Sequence, residues 1–214
     1  ACKHKHEEIV DYLIAKSEEF GINILAEDKD GATGLGMYFR KVCEAGDLKN
    51  LEKILTFTTI DFNEPDENGQ SGFYYACWKG RIQAVKLLVQ NSKSLNLDLN
   101  KANVNGLTAF HMACREKHED TVEIIIKSAV EFGIDLTLKD KNGNTGCDFW
   151  PDKLNFRKVC KQGDIKNLQT LFTFSTMDFN ETDEHGDSGF YVACHKSHYQ
   201  AVKLLIQKSK SLRL

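Results

Sequence analysis

With 214 residues, 41% of them hydrophobic, the chain can bury a substantial core, and a formal net charge of −3 excludes the basic stripe that duplex nucleic acid selects. No apolar run approaches the ~20 residues that span a bilayer, and no segment has the layout of a signal peptide. Seven cysteines, an odd number, point to reduced thiols in an intracellular, cytoplasmic setting rather than to a disulfide framework.

The chain opens on Ala1 and Cys2 in ACKHKH, a phrase that returns as VCEAGD at Cys43, ACWKGR at Cys77, ACREKH at Cys114, VCKQGD at Cys160 and ACHKSH at Cys194. Spacings of 41, 34, 37, 46 and 34 residues mark an array of stacked supersecondary units. Each of these cysteines lies beside a small or branched apolar residue, so they are expected to pack as small hydrophobes on a buried helix face.

The best-formed unit runs over residues 66–102. Asn68 and Gly69 predict a tight turn. A short helix carrying Ala76 and Cys77 follows and ends at Gly80, which is free to adopt left-handed φ. Ile82, Val85, Leu88 and Val89 then set one apolar stripe of a second helix. Residues 97–100 lead to the next turn at Asn105 and Gly106, after which Thr108, Ala113, Cys114, His118, Val122, Ile125 and Ile126 repeat the order.

The string NVNGLTAFHMACREKH resembles the ankyrin repeat, whose pattern is a D-x-x-G turn, T-P-L-H, a small pair, G-H and a second helix. Departures are the missing proline (TAFH at Thr108, SGFY at Ser71 and Ser188) and a unit longer than the family's usual one. The resemblance implies an all-α right-handed ankyrin solenoid of helix-turn-helix units joined by β-hairpin loops. About six units are expected in a single domain over 1–214: 1–27 (partial), 28–65, 66–102, 103–139, 140–182 with an insertion at 147–155, and 183–214 (partial). Ala1 and Cys2 align with Ala76 and Cys77, and KSLRL stops where KSLNL continues into DLNKANVNG. The expectation is therefore a piece of a longer array.

A longer period overlies the first. Residues 39–95 match 156–212 at 38 of 57 positions, and 1–34 match 113–146 at 16 of 34. The chain is thus about two copies of a three-repeat cassette. The copies differ where nine residues, CDFWPDKLN after Gly146, replace LGMY after Gly34. Phe149 and Trp150 in that insertion are a secondary candidate binding loop or a plug for the irregular spacing.

Catalytic, cofactor-binding and metal-ligating residues are all expected to be none. The i, i+4 pairs Cys2–His6, Cys114–His118 and Cys194–His198 could hold two ligands. Asp47, Arg81 and Asp164 stand at the histidine's place in sister units, however, and zinc needs three or four convergent ligands. The resemblance makes these histidines braces between neighbouring loops, and makes His111 a hydrogen-bonding brace in its tetrapeptide. Asn63, Asn100 and Asn180, in D-F-N or D-L-N, resemble ankyrin asparagines that intracellular hydroxylases modify, and also suit the satisfying of turn backbone groups. No phosphate-binding glycine loop or nucleophile elbow is present, so the chain reads as no enzyme.

In the family the turn tips and first helices line a concave face that docks partners. Mapped by motif, the face here is expected to carry Glu44, Gln70, Trp78, Lys79, Leu107, Arg115, Glu116, Lys161, Gln162, Asp187, His195 and Lys196, with Trp78 as an anchor. The expected function is a non-catalytic scaffold, monomeric as a module, that binds a protein or peptide partner and engages neither nucleic acid nor membrane. The alternatives are a regulatory or recruiting arm of a larger enzyme or channel, and a self-associating structural array.

Overall fold

Among the described residues the chain four times sets Asp or Asn three residues ahead of a glycine: Asp66–Gly69, Asn103–Gly106, Asp140–Gly143 and Asp183–Gly186. Each side-chain Oδ1 accepts the backbone N–H groups two and four residues on, at 2.8–3.0 Å. Each glycine adopts φ between +79° and +83°. That conformation strains residues with a Cβ, which is why the position is glycine. The expected hairpins are compressed to these turns, each closed by two further backbone bonds such as Asp66 N–H to Gln70 O and Gly69 N–H to Asp66 O.

The computed structural model describes residues 26, 33–57, 60–150, 155–172 and 179–212, with the side chains of 211–212 left aside. The chain divides into two compact units, residues 1–135 and 136–214. The candidate positions at Cys2 and His6 lie outside the described residues.

The first unit holds α1 (Gly34–Ala45), α2 (Leu48–Ile54), α3 (Gly72–Trp78), α4 (Ile82–Asn91), α5 (Ala109–Arg115) and α6 (Glu119–Phe132). Helices α1, α3 and α5 pack in one layer and α2, α4 and α6 in a second, each first helix lying against its own second helix. Thr33, Ser71 and Thr108 cap the first helices by accepting the N–H three residues on. At Thr108 the cap is reciprocal, because the His111 ring takes the Thr108 N–H at 3.1 Å. This is the brace that the resemblance implied.

Phe39, Cys43, Leu51, Phe73, Cys77, Leu88, Phe110, Cys114 and Ile125 fill the space between the layers. Each large apolar side chain buried this way contributes roughly 1.5–3 kcal/mol. At Gly72 the missing proline has a packing cause. A Cβ at Gly72 would stand 2.4 Å from the Phe39 ring, so the helix opens on S-G.

The second unit repeats the plan with α7 (Phe156–Gln162), α8 (Ile165–Leu171), α9 (Gly189–His195) and α10 (Tyr199–Leu212). Helix α7 packs on α9, α8 on α10, and each first helix on its own second helix. Phe156, Val159, Cys160, Leu168, Leu171, Ala193 and Leu205 form its core. A 3-10 turn at Gly146–Phe149, capped by Thr145 and Asp148, precedes α7.

One expectation fails here. Cys194 is exposed, whereas Cys43, Cys77, Cys114 and Cys160 are buried free thiols. On α9 Phe190 is also exposed, and on α10 so are Tyr199 and Ile206.

Candidate functional site

Successive repeats are joined by a latch at the start of three of the second helices, α4, α6 and α10. Arg81 Nε donates to Glu44 O at 2.9 Å. His118 Nε2 meets Trp78 O at 2.9 Å, and His198 Nε2 meets Lys161 O at 2.9 Å. A carbonyl only accepts, so both rings carry their proton on Nε2. In every case the acceptor is the residue after the repeat's cysteine. The preceding glycine makes room: a Cβ at Gly46, Gly80 or Gly163 would lie 2.6–2.7 Å from the latch side chain. Asp47 and Asp164, at the same place, instead cap their own helices by accepting from Asn50 and Asn167.

The turn asparagines add a second joint. Asn63 donates to Asn96 O at 2.8 Å and accepts from Asp98 N–H at 2.7 Å. Asn100 does the same with Gly133 O and Asp135 N–H, both at 2.8 Å. These side chains satisfy backbone groups one repeat along, so their presence has a structural cause.

Latches and caps therefore use side chains at fixed register, and leave the two residues after each cysteine and the turn ends for other work. In the first unit these are Glu44, Gln70, Trp78, Lys79, Leu107, Arg115 and Glu116. Arg115 and Glu116 are exposed, while Gln70 and Leu107 are half-buried at the turn ends.

Trp78 is half-buried in a cluster of its own helix, with ring centroids 5.8 Å from Tyr75 and 6.4 Å from Tyr74. Lys79 Nζ lies 4.1 Å above the indole and 3.9 Å from Glu44 Oε1, and Lys41 holds Glu44 Oε2 at 2.8 Å. Tyr75 O–H donates to Asp66 Oδ2 at 2.8 Å, and burial together with that carboxylate pushes its phenol well up. At this place the Tyr75 and Trp78 rings lie together, and Glu44 is paired with Lys41 and Lys79.

The second unit brings Lys161, Asp187, His195 and Lys196 together on one cavity of about 430 Å³. Gln162 is exposed beside Lys161 on α7. Sequence reasoning missed other lining residues: Asn155, Arg157 and Lys158 on α7, Asp183 on the turn, and Tyr191 and Val192 on α9. Helical register was the available signal, since Arg157 and Lys158 precede Lys161 by four and three residues and so share its face. Arg157 Nη1 stands 3.5 Å from Asp183 Oδ2. The Asp187 and His185 backbone N–H groups, with Arg157, hold the Asp183 carboxyl below its ordinary range.

Phe149 and Trp150, the secondary loop candidates, are half-buried at the end of the 3-10 turn and engaged in contacts there. Cys147 beside them is buried enough that its thiol is pushed up to about 12. Among the described residues no three His, Cys, Asp or Glu side chains gather in a metal-binding group, and no helix is long and apolar enough to cross a membrane.

Residues 39–140 match the family model described as ankyrin repeats (3 copies). No curated protein matches the chain.

Proposed function

Because residues 39–140 make this chain an ankyrin-repeat protein, we propose that it works as a non-catalytic scaffold holding a protein or peptide on the face formed by its first helices and turns. Ankyrin repeats generally mediate protein–protein interaction. The observation that carries the finer reading is the division of labour along the repeat. Latch, cap and core positions are satisfied internally, whereas Lys161, Asp187, His195 and Lys196 converge on a cavity for which the scaffold has no structural use. Such a surface is preorganised, so little ordering cost is added on binding.

The reading extends to setting and assembly. The chain works as one repeat domain over 1–214, in a reducing cytoplasm suited to its free cysteines, as a monomeric module without cofactor, nucleic acid or membrane insertion. Affinity capture from lysate tests the docking face. The chain is compared with a Trp78→Ala/Arg115→Ala variant and a Lys161→Glu/Lys196→Glu variant. Retention by the parent and loss by either variant is the expected result; indifference to both removes the face assignment.

A second reading, self-association, is favoured by the outward apolar side chains Phe190, Tyr199 and Ile206. Light scattering separates it. The module reading expects a monomer mass at every concentration, and a mass that climbs with concentration favours self-association.

A further inference from the structure

The two grooves are built on the same scaffold at an offset of 117 residues and differ at five lining positions, among them Glu44 replaced by Lys161, Tyr75 by Val192, and Trp78 by His195. In the first groove Glu44 binds Lys41 and Lys79, and the rings of Tyr75 and Trp78 occupy the space. In the second the carboxylate has become an ammonium, the phenol ring has become a branched aliphatic side chain, and the indole has become the smaller imidazole. The result is an open cavity of about 430 Å³, within the size range of ligand pockets.

Resting on the docking-face reading, we infer that this second groove is a site for an acidic peptide segment of the partner, one carboxylate entering between the α7 and α9 lysines, and that the first groove is not.

The charges decide the class of occupant. Lys161 and Lys196 line the cavity and make no ion pair among the described residues. Arg157 is already engaged by Asp183. A phosphate ligand would be favoured by a free arginine fork, whereas Arg157 already faces Asp183 and lysine ammoniums act as point charges that a carboxylate matches. Asp183 and Asp187 on the turn side oppose the close run of phosphates of a nucleic-acid backbone but allow a single carboxylate at the helix side. The openness of the cavity to solvent suits an extended segment more than a sealed small molecule.

Fluorescence anisotropy on the full chain tests the site, with a fluorescein-labelled peptide of alternating Glu and Ala as probe. Saturable binding is expected. It should weaken as salt rises, fall at least tenfold in Lys161→Glu and in Lys196→Glu, and stay unchanged in Lys86→Glu, a reversal on the exposed side of α4. Both lysines are exposed, so circular dichroism should match the parent. If Lys161→Glu alone loses structure, Lys161→Gln and Lys196→Glu give the same reading.

Absence of saturable binding overturns the inference, as does binding indifferent to both reversals. Stronger competition by inorganic phosphate or by a ten-nucleotide oligothymidylate than by unlabelled acidic peptide overturns it too. The docking-face reading fails separately. If the acidic probe does not bind while lysate capture still depends on Lys161 and Lys196, the face survives and only the acidic specificity falls.

Discussion

Residues 39–95 and 156–212 share two thirds of their amino acids, yet the same arginine lives in two different environments. Arg40 is buried, its Nη1 donating to Glu64 O at 2.9 Å and to Glu64 Oε1 at 3.2 Å. Glu64 is held in turn by the N-cap of α1, accepting from Thr33 N–H at 3.0 Å and Thr33 Oγ1 at 2.6 Å. Its counterpart Glu181 is exposed, and Arg157 turns to Asp183 at 3.5 Å.

The difference lies upstream, in the length of the segment after the cap. Four residues between Gly34 and Phe39 add about one turn, so α1 runs unbroken for 12 residues. Nine residues amount to about two and a half turns, which would bring the helix out half a turn out of phase. There Thr145 bonds its own Asp148 at 2.7–2.8 Å, a 3-10 turn forms, and α7 restarts on a fresh cap at Asn155. An insertion matched to the helical pitch is absorbed. One that is unmatched breaks the helix and releases the ion pair that depended on it.

The largest effect expected from this contrast is at the arginines. Arg40→Met should cost about 3 kcal/mol in urea unfolding, because Glu64 is left charged and largely buried, whereas Arg157→Met should cost under ~1 kcal/mol. Equal costs would break the comparison. Replacing CDFWPDKLN by LGMY sharpens it. Helical ellipticity at 222 nm should rise, and the cost of Arg157→Met should climb to about 2 kcal/mol as Glu181 regains a cap to hold. No change in either would assign the difference to something other than insertion length.

Next come the latch glycines. Gly80→Ala and Gly163→Ala should each lose about 2 kcal/mol, combining left-handed strain with a clash against His118 or His198. Lys117 and Ser197 occupy the equivalent place at φ +59° and +58°. Lys117→Gly should therefore gain about 0.5–1 kcal/mol, and a loss would show that its side chain makes a compensating contact.

The smallest effect is chemical. Cys77 and Cys194 are aligned, but only Cys194 is exposed. Titration of native protein with a thiol-reactive disulfide should lose one fast-reacting thiol in Cys194→Ser and none in Cys77→Ser. Burial raises the Cys43, Cys77 and Cys160 thiols, the last up to about 12. A raised folded pKa gives stability that is present below the ordinary thiol range, ~8.5, and lost as pH rises above it, so unfolding should become easier in alkali.

What was legible in the sequence was local. The turns around Gly69 and Gly106, the cap at Thr108, the stripe of α4 and the small buried pair at Ala76 and Cys77 all follow from spacing within a dozen residues. The latch was less legible, because Arg81, His118 and His198 reach the same carbonyl position with different chemistry. Histidine suggested metal or brace, and arginine suggested neither. The Arg40–Glu64 pair spans 24 residues and leaves no periodic trace.

The candidate site was half legible. Register picks out Lys161, His195, Lys196 and Asp187, which the cavity gathers, and also Trp78, which fills its own groove instead. Free volume depends on the difference between tyrosine and valine, and between tryptophan and histidine, across packed helices. Register alone does not carry that information.

The central claim is that, of the side chains that differ between the two grooves, those at Glu44, Tyr75 and Trp78 decide which groove is open and basic. Its most direct test is the calorimetric stoichiometry of an acidic peptide on the Glu44→Lys/Tyr75→Val/Trp78→His variant, with circular dichroism confirming its fold. The account predicts one peptide per parent chain and two per variant. Two on the parent, or one on the folded variant, would contradict it.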